Sequence, residues 1–490
     1  MLIRLEGQDA LYLQVYRALR QAITEGAMEP GFRLPATRAL AEELGVSRNV
    51  VLAAYDLLYS EGYVEGRVGA GTFVSVHLPE EMLQPAEATP EDGEAPDADG
   101  TAPRLSAFGH RVLDSGAPTR TPPPPRGLRW DFQYGEVAPD DLCMRQWRQL
   151  LASCSETAAL NYSPAEGWPD LRHELAGYLR QSRGVRCDPD QILVVNGSQQ
   201  AIDLAARLLI DPGDPVVLEE PHYQGARQIF RAAGARLVPC QVDDQGLDVG
   251  RISPQGEGAR LIYVTPSHQF PLGGVMPLQR RVALLEWAEA NDSLVLEDDY
   301  DSEYRYEGRP MEAVQGLDRR GRTVYVGTLS KVMFPSLRLG YVVLPKPLLG
   351  LFVAGKWLAD RQAPTLEQEV LARFIAEGHF ERHLRRTRRL NGERRQALLE
   401  ALDEHFGDRV EVQGTNAGVH LVVWLRDVPM TELGTLIERA AGHGVGVYPI
   451  DHYYFEPPKR AGLVLGYASL SIEEIRQGIA ELGRAFDEVS

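Results

Sequence analysis

Lysine is nearly missing from this chain of 490 residues. The 51 lysine and arginine residues include four lysines, which are Lys331, Lys346, Lys356 and Lys459. An ammonium group can lose its proton and act as a nucleophile, whereas a guanidinium stays charged in proteins. Lys331 follows the apolar run VYV, residues 324–326, and the turn sequence GTLS. This position leaves two interpretations open, a surface loop residue or a buried reactive amine.

The sequence also lacks the cysteine pairs that build disulfide frameworks and zinc sites. Its four cysteines are far apart and form no C-x-x-C pair: Cys143, Cys154, Cys187 and Cys240. Thiols in a reducing cytosol fit this spacing, and we expect no metal site. No apolar run approaches the roughly 18 residues of a membrane span, and the amino terminus lacks the apolar core of a signal peptide. We therefore expect a cytoplasmic protein with no membrane partner.

The charge balance excludes one class of function. The formal net charge is −18, so the whole molecule is not an indiscriminate nucleic-acid binder. A small DNA-binding face remains compatible with that charge, because phosphate contacts depend on where a few arginines lie. The content of 44% hydrophobic and 24% charged residues is typical of a globular protein with two or three domains.

Composition divides the chain into three segments. Residues 1–76 combine helical periodicity with a short Gly-rich hairpin pattern and are interpreted as a small DNA-binding domain. Residues 77–126 are acidic, rich in proline and nearly free of large apolar side chains, which predicts a disordered linker. An alternative gives LSAFGHRVLD, residues 105–114, a docking role within that linker. Residues 127–490 are predicted to form the effector domain.

The third segment has the pattern of an α/β fold. Apolar runs such as ILVV, PVVLEE, RLIYV, LVLEDD and TVYVGT alternate with helical patterns. Strands of this type are buried on both faces, which predicts a mainly parallel sheet covered by helices. Later in the chain, a long Arg-rich helical stretch precedes the runs HLVVWL and LVLGYA. That order predicts a smaller α+β subdomain.

The first segment carries a helix-turn-helix pattern. The tight turn Gly45-Val46-Ser47 separates two amphipathic helical patterns, and Arg48 and Asn49 fall in the first turn of the second. In helix-turn-helix proteins this turn enters the major groove, where arginine and asparagine can contact bases or phosphates. The following YVEGRVGAGTFV predicts a two-stranded wing. A plain helical pair, or a protein-interaction module, fits the same pattern.

A longer motif covers most of this first segment. The letters GFRLPATRALAEELGVSRNVV, followed by AYDLLYSEGY and GAGTFV, run from residue 31 to residue 74. Together they resemble the GntR-type winged-helix signature. The resemblance implies a winged helix-turn-helix that binds a double-stranded DNA operator. The contact residues that it implies are Arg38, Ser47, Arg48, Asn49, Arg67 and Gly69.

Groups that could surround a pyridoxal phosphate follow several predicted strands of the third segment. This aldehyde bonds to a lysine amine and needs an anion cradle at a helix start, an acid at its ring nitrogen and an aromatic platform. The carboxyl ends of parallel strands meet at one sheet edge, so distant groups can converge there. Each residue taken singly also fits a structural role. The predicted residues are Gly197, Ser198 and Gln199 for the anion cradle, Tyr223 for the aromatic platform, Asp298 for the ring nitrogen and Tyr300 for the phenolic oxygen of the ring. The set also includes Thr328, Ser330, the amine Lys331 and the phosphate partner Arg338.

Five motifs of the third segment point to a known family. They are NYSPAEGWPDLR, GSQQ, TPSHQFPLG, EDDYDSE and SKVMFPSLRLGY. They resemble the fold-type I aminotransferases, and most closely the aminotransferase-like domain of the MocR/GabR regulators. The resemblance implies pyridoxal 5'-phosphate as cofactor, with Lys331 as the catalytic residue that bonds to it. It also implies a head-to-tail homodimer in which Tyr162 reaches the cofactor phosphate of the partner subunit.

Two positions depart from the aminotransferase pattern. Phe270 stands where aminotransferases commonly have asparagine, directly after His268 and Gln269. In aminotransferases an arginine at the start of the last strand binds the substrate carboxylate. Here that strand reads AGLVLGYASL and has no arginine, and the nearest bases, Lys459 and Arg460, precede it. Without a bidentate clamp, a bound α-amino acid loses its positioning.

These departures favour a transcriptional regulator whose aminotransferase-like domain senses pyridoxal phosphate or an adduct of it with an amine. The alternative is an active aminotransferase with an autoregulatory DNA-binding head. A third hypothesis makes the head a protein-interaction module. For the regulator we expect at most weak transaminase activity.

Overall fold

The structure is a computed structural model that describes residues 9–67, 70–76, 78, 104–119, 127–138, 140–157, 161–308 and 311–489. The chain divides into two compact units, which we call the head (Met1–Pro103) and the body (Arg104–Ser490). Among the described helices, none has the length and apolar content needed to cross a lipid bilayer.

The head has the winged helix-turn-helix fold that the sequence predicts. Gly45, at φ 66°, ends the second helix in the left-handed region that glycine adopts without strain, and this reversal leads directly into the third helix. The two wing strands pair antiparallel. The described elements are α1 (Leu11–Thr24), α2 (Thr37–Leu44), α3 (Arg48–Ser60), β1 (Val64–Arg67) and β2 (Gly71–Val74).

One apolar core joins the helices and the wing of the head. Leu19 from α1, Leu40 from α2 and Leu58 from α3 are fully buried in it, together with Val74 from β2. Burying a side chain of this size contributes about 1.5–3 kcal/mol to stability. The core therefore fixes the orientation of α3, whose first two residues, Arg48 and Asn49, remain exposed to solvent.

The body is built around an eight-stranded sheet in the order β4-β11-β10-β9-β8-β5-β6-β7. Its strands are β4 (Ile192–Val195), β5 (Pro215–Glu220), β6 (Arg236–Asp243), β7 (Gly246–Leu247), β8 (Leu261–Val264), β9 (Leu294–Asp299), β10 (Thr323–Thr328) and β11 (Gly340–Val343). The neighbours from β10 through β6 are parallel, whereas β11 and β7 are antiparallel to the strands beside them. The predicted mainly parallel sheet is confirmed.

Helices cover both faces of this sheet. Along β10, Val324 and Val326 pack in the core that contains the helices Ser198–Leu209 and Lys346–Asp360. Tyr325 packs in the core that contains the helices Pro169–Arg183 and Thr365–Ala376. This alternation follows from the two-residue period of a strand. The helices of this part are α5 (Asp141–Thr157), α6 (Pro169–Arg183), α7 (Ser198–Leu209), α8 (Gln224–Ala233), α9 (Leu278–Ala290), α10 (Val314–Leu317), α11 (Lys346–Asp360) and α12 (Thr365–Ala376).

A smaller α+β subdomain completes the body, as predicted. A four-stranded antiparallel sheet, β12-β13-β16-β15, shares an apolar core with three helices. Two short strands, β3 (Trp130–Asp131) and β14 (Val445–Gly446), form a separate parallel two-stranded sheet. The elements are α13 (His379–Phe406), β12 (Val410–Gln413), β13 (His420–Leu425), α14 (Leu433–Gly442), β14 (Val445–Gly446), β15 (Tyr448–Pro449), β16 (Gly462–Gly466) and α15 (Ile472–Asp487).

An ordered helix, α4 (Ala107–Asp114), lies within the stretch predicted to be a disordered linker, residues 77–126. Ser106 caps its start by accepting a hydrogen bond from the Gly109 amide at 3.0 Å. Arg111 Nε donates to the Ala232 carbonyl at the end of α8, at 2.9 Å. These polar contacts hold a segment of low apolar content, so the prediction of disorder is wrong for residues 104–119. The segment of the docking alternative, residues 105–114, contacts α8 in this structure, and residues 77, 79–103 and 120–126 lie outside the described residues.

Candidate functional site

A cavity of about 290 Å³ lies at the carboxyl edge of the large sheet. Parallel pairing sets Asp298 on β9 opposite Val326 on β10, so the chain segments that follow both strands meet there. The predicted residues that line this cavity are Ser198, Gln199, Tyr223, Asp298, Tyr300, Thr328, Ser330, Lys331 and Arg338. Four further lining residues have no predicted role, namely Tyr134, Tyr263, Thr265 and Phe270.

Lys331 is held in the cavity wall just after β10. Its Nζ donates a hydrogen bond to the Gly135 carbonyl at 3.1 Å and lies 4.6 Å from the ring centroid of Tyr134. A Cβ at position 135 would come within 2.6 Å of Nζ, so glycine allows this close approach. Burial lowers the pKa of the amine to about 8, although Asp301 and Asp298 act in the opposite direction. An appreciable fraction of the amine is therefore unprotonated and nucleophilic in mildly alkaline solution.

Asp298 supplies a buried acid to the same cavity. Tyr263 donates its hydroxyl proton to Oδ2 at 2.6 Å, whereas Oδ1 is buried and has no partner among the described residues. Burial raises the pKa of this carboxyl to about 7. An unpartnered acceptor in a cavity wall is costly unless a donor reaches it. The site thus suits a ligand that brings an N–H group to Oδ1.

The start of α7 forms an anion cradle. Gly197 precedes the helix at φ 79°, and Ser198 and Gln199 open it, so their amide groups have no acceptor within the helix. Arg338 donates from Nη2 to the Asn196 carbonyl at 3.1 Å. A Cβ on Gly197 would lie 3.1 Å from the same Nη2. Glycine therefore lets the guanidinium approach the helix start.

The last residue of β10, Thr328, and Ser330 in the turn after it add further polar groups to the wall. The amide of Ser330 donates to Thr328 Oγ1 at 3.2 Å. The Ser330 hydroxyl is buried and has no partner among the described residues. A hydroxyl of this kind is available to a ligand oxygen.

Aromatic side chains form the rest of the wall. The Tyr223 hydroxyl donates to Gln199 Oε1 at 3.1 Å, and its ring lies edge-on to Phe270 at 6.0 Å. Phe270 also contacts the rings of Tyr134 at 4.8 Å and Tyr300 at 5.8 Å. At the position where aminotransferases carry an amide, this cavity has an apolar ring that cannot donate to a ligand.

Tyr300 is held by a buried histidine–carboxylate pair. Its hydroxyl lies 2.9 Å from His268 Nδ1, which also lies 3.0 Å from Asp301 Oδ2. A carboxylate can only accept, so the proton sits on Nδ1. A protonated Nδ1 cannot accept from the Tyr300 hydroxyl, and its one hydrogen is shared at most between Asp301 and the Tyr300 oxygen, so Tyr300 keeps its own proton for another acceptor. From the sequence, His268 was named only as a neighbour of Phe270, and neither His268 nor Asp301 had a predicted role.

Several residues lie apart from the cavity. Tyr162 is 79% exposed, with the Arg361 guanidinium 5.2 Å above its ring. Gly197 contacts Arg338 but is not among the lining residues. Arg460 is on the surface, where it pairs with Glu411 at 2.8 Å. Within the described part of the chain, the cations that line the cavity are Lys331 and Arg338.

The predicted DNA contacts lie on the surface of the head. Arg38 on α2, Ser47, Arg48 and Asn49 at the start of α3, and Arg67 at the end of β1 are all exposed. Gly69 lies outside the described residues. A helix start carries a partial positive charge that favours phosphate.

Two of the exposed arginines on this surface, Arg48 and Arg67, differ in the contacts that hold their side chains. Arg67 pairs with Glu65 at 2.7 Å and covers the Phe73 ring at 4.7 Å. Arg48 makes one long contact, 3.4 Å from Nε to Thr37 Oγ1. Arg48 is therefore the freer of the two to reach a new acceptor.

Family models match both units of the chain. Residues 11–74 match the model of bacterial regulatory proteins of the gntR family. Residues 135–482 match the model of aminotransferase class I and II.

Known proteins resemble the whole chain or the body alone. The probable rhizopine catabolism regulatory protein MocR of Rhizobium meliloti is 40% identical over 97% of this chain and 94% of its own length. The HTH-type pyridoxine biosynthesis transcriptional regulator PdxR of Corynebacterium glutamicum is 32% identical over 96% of this chain and 95% of its own length. An alpha-aminoadipate aminotransferase of Thermus thermophilus, solved with N-(5'-phosphopyridoxyl)-L-leucine, covers 74% of this chain and 93% of its own, with 31% identity and a TM-score of 0.66.

The titration of Lys331 tests the electrostatics of the cavity. The scarcity of lysine makes this practical, because isotope-labelled lysine gives four Nζ signals. We expect one signal to titrate near pH 8, since burial lowers this pKa from its ordinary value. Assignment follows from its loss in Lys331→Ala. A Lys331 signal that stays protonated up to the ordinary lysine pKa would contradict the account of the cavity.

Proposed function

The chain belongs to the family of HTH-type transcriptional regulators that join a gntR-family head to an aminotransferase class I and II body, and from this premise we propose that pyridoxal 5'-phosphate bound at Lys331 controls its attachment to an operator. The observation that carries this proposal is one cavity shared by the half-buried Lys331 amine and a buried carboxyl with an unpartnered oxygen. The anion cradle at the start of α7 stands beside them.

The residues of the cavity fit this cofactor group by group. Lys331 would bond to its aldehyde, and Asp298 Oδ1 would accept from the protonated ring nitrogen. Tyr223 would stack on the ring. The phosphate would take the helix start at Ser198 and Gln199, with Thr328, Ser330 and Arg338. When bound, the cofactor supplies an aldehyde that exchanges amines and a ring that accepts electrons.

The chain's own groups set the protonation of this site. Burial keeps part of the Lys331 amine unprotonated near neutral pH, which is the form that attacks an aldehyde. The protonated Nδ1 of His268 lies beside the Tyr300 oxygen and cannot accept its proton. Tyr300 would therefore donate that proton to the phenolic oxygen of the cofactor. Phe270 excludes water from one side of the cavity. These residues act by orientation and desolvation.

The signal is pyridoxal phosphate itself or its adduct with an amine. A ligand shifts a regulator only if it binds one conformation more tightly than the other. We propose a head-to-tail homodimer, in which the exposed Tyr162 reaches the cavity of the partner subunit. Its two heads, each spanning residues 1–76, would occupy the half-sites of a double-stranded operator in the cytoplasm.

The alternative is an aminotransferase that also carries a DNA-binding head. Turnover of an amino acid with 2-oxoglutarate requires a firm hold on the substrate carboxylate. Arg460 is tied to Glu411 at the surface, and the cavity-lining cations of the described residues are Lys331 and Arg338. Both are needed for the cofactor in the proposed site. Sustained turnover by the purified chain would favour the enzyme over the regulator.

The absorbance spectrum tests cofactor attachment. The wild-type chain with added pyridoxal phosphate should show the long-wavelength band of the lysine-bound cofactor, and Lys331→Ala should lose it. Lys346→Ala is the matched control, because Lys346 is an exposed lysine that pairs with Asp188 at 3.4 Å. Identical spectra for wild type and Lys331→Ala would count against the site.

Arg48→Ala tests the DNA-binding face. If Arg48 reads a base, its loss should weaken operator binding by about 1–3 kcal/mol. Arg17→Ala is the control, because Arg17 is an exposed arginine on α1 that pairs with Asp9. Binding can be measured by fluorescence anisotropy on an operator obtained by selection. An unchanged affinity for Arg48→Ala would favour a protein-interaction role for the head.

A further inference from the structure

A second and larger cavity, of about 460 Å³, lies in the body. It shares no lining residue with the cofactor cavity. Three segments form its walls: the end of α6, the chain that follows β9, and the first turns of α13. We call it the arginine cavity, because four of its lining residues are arginines, namely Arg183, Arg305, Arg385 and Arg388.

The positive charge of the arginine cavity is only partly neutralised. Arg183 pairs with Asp299 at 2.8 Å, and Arg385 lies 3.8 Å from Glu381. Arg305 and Arg388 have no carboxylate within ion-pair distance in the described part of the chain. Two guanidinium groups therefore face this space without a counter-ion from those residues.

The remaining acid of the wall is a weak counter-ion. Glu303 accepts a hydrogen bond from the Tyr178 hydroxyl at 2.9 Å. Burial raises the pKa of its carboxyl to about 7. Near neutral pH a substantial fraction of this group is thus uncharged, and the cavity keeps a net positive charge.

Donors in the wall also lack acceptors. Arg305 Nε and Ser302 Oγ are buried atoms with no hydrogen-bond partner among the described residues. Arg388 is held by a bond from its Nε to the Glu303 carbonyl at 2.7 Å, which fixes its guanidinium in the wall. A buried donor without an acceptor costs stability, and an anion that enters the cavity would remove this cost.

We propose that the arginine cavity binds a small dicarboxylate through Arg305, Arg388 and Ser302. Guanidinium groups match carboxylates through paired hydrogen bonds, and two separate guanidiniums suit a molecule with a carboxylate at each end. The volume is sufficient for a small organic ligand. This site shares no lining residue with the cofactor cavity. The two cavities are nevertheless linked, because Arg183 in one wall holds Asp299, the neighbour of Asp298.

Calorimetric titration of the full chain with succinate tests the proposal, with uncharged succinamide as the control ligand. We expect saturable binding of succinate by the wild type and none of succinamide. The double variant Arg305→Gln/Arg388→Gln should lose roughly tenfold or more in affinity, because hydrogen bonds to charged groups are lost. The milder Ser302→Ala should reduce affinity without disturbing the fold.

Two control variants locate the binding. Arg389→Gln should bind like wild type, because Arg389 is the exposed neighbour of Arg388 and pairs with Glu393 at 2.6 Å. Arg338→Gln should also bind like wild type, because Arg338 lines the other cavity. Absence of saturable binding by the wild type would overturn the proposal. Equal losses in Arg389→Gln, or a loss confined to Arg338→Gln, would overturn it as well.

Discussion

The site of the body depends on one cavity, at an edge of the sheet, that partly buries the Lys331 amine and buries the Asp298 carboxyl. The parallel pairing of β9 and β10 places Asp298 and Lys331 in the wall of one cavity. Removing either charge from water is unfavourable, so burial shifts the pKa of both groups toward their neutral forms. Packed cores on both faces of the sheet hold this arrangement. Chemistry at the site follows from these shifted protonation states.

Regulation makes different demands on such a site than turnover does. A regulator needs a ligand that favours one conformation, whereas an enzyme must also hold a second molecule in a reactive position. The cavity has the groups for the first task, and Arg460, the nearest base before the last strand of the small subdomain, is engaged at the surface. Helix α4 contacts α8 at Ala232, near the end of that helix, whereas the cavity residue Tyr223 precedes its start.

Sequence patterns predicted the cavity residues that follow the ends of strands, but not the cavity residues that lie inside a strand or far from a clear one. Asp298 and Lys331 follow clear apolar runs, so their common edge could be predicted. Tyr263 lies within such a run, where a tyrosine has the pattern of a core residue, and Tyr134 follows only a two-residue strand. Their contacts with the cavity depend on tertiary packing. A docking role for the segment of α4 was predicted only as an alternative to disorder, because polar contacts, of which that of Arg111 is one, hold it in place.

Operator binding as a function of cofactor concentration tests the central claim most directly. Fluorescence anisotropy would follow the wild-type chain and Lys331→Ala on the same selected operator, with pyridoxal phosphate titrated into each. The account predicts that the operator Kd of the wild type shifts with cofactor concentration while that of Lys331→Ala stays constant. Equal shifts in both proteins, or none in the wild type, would contradict it.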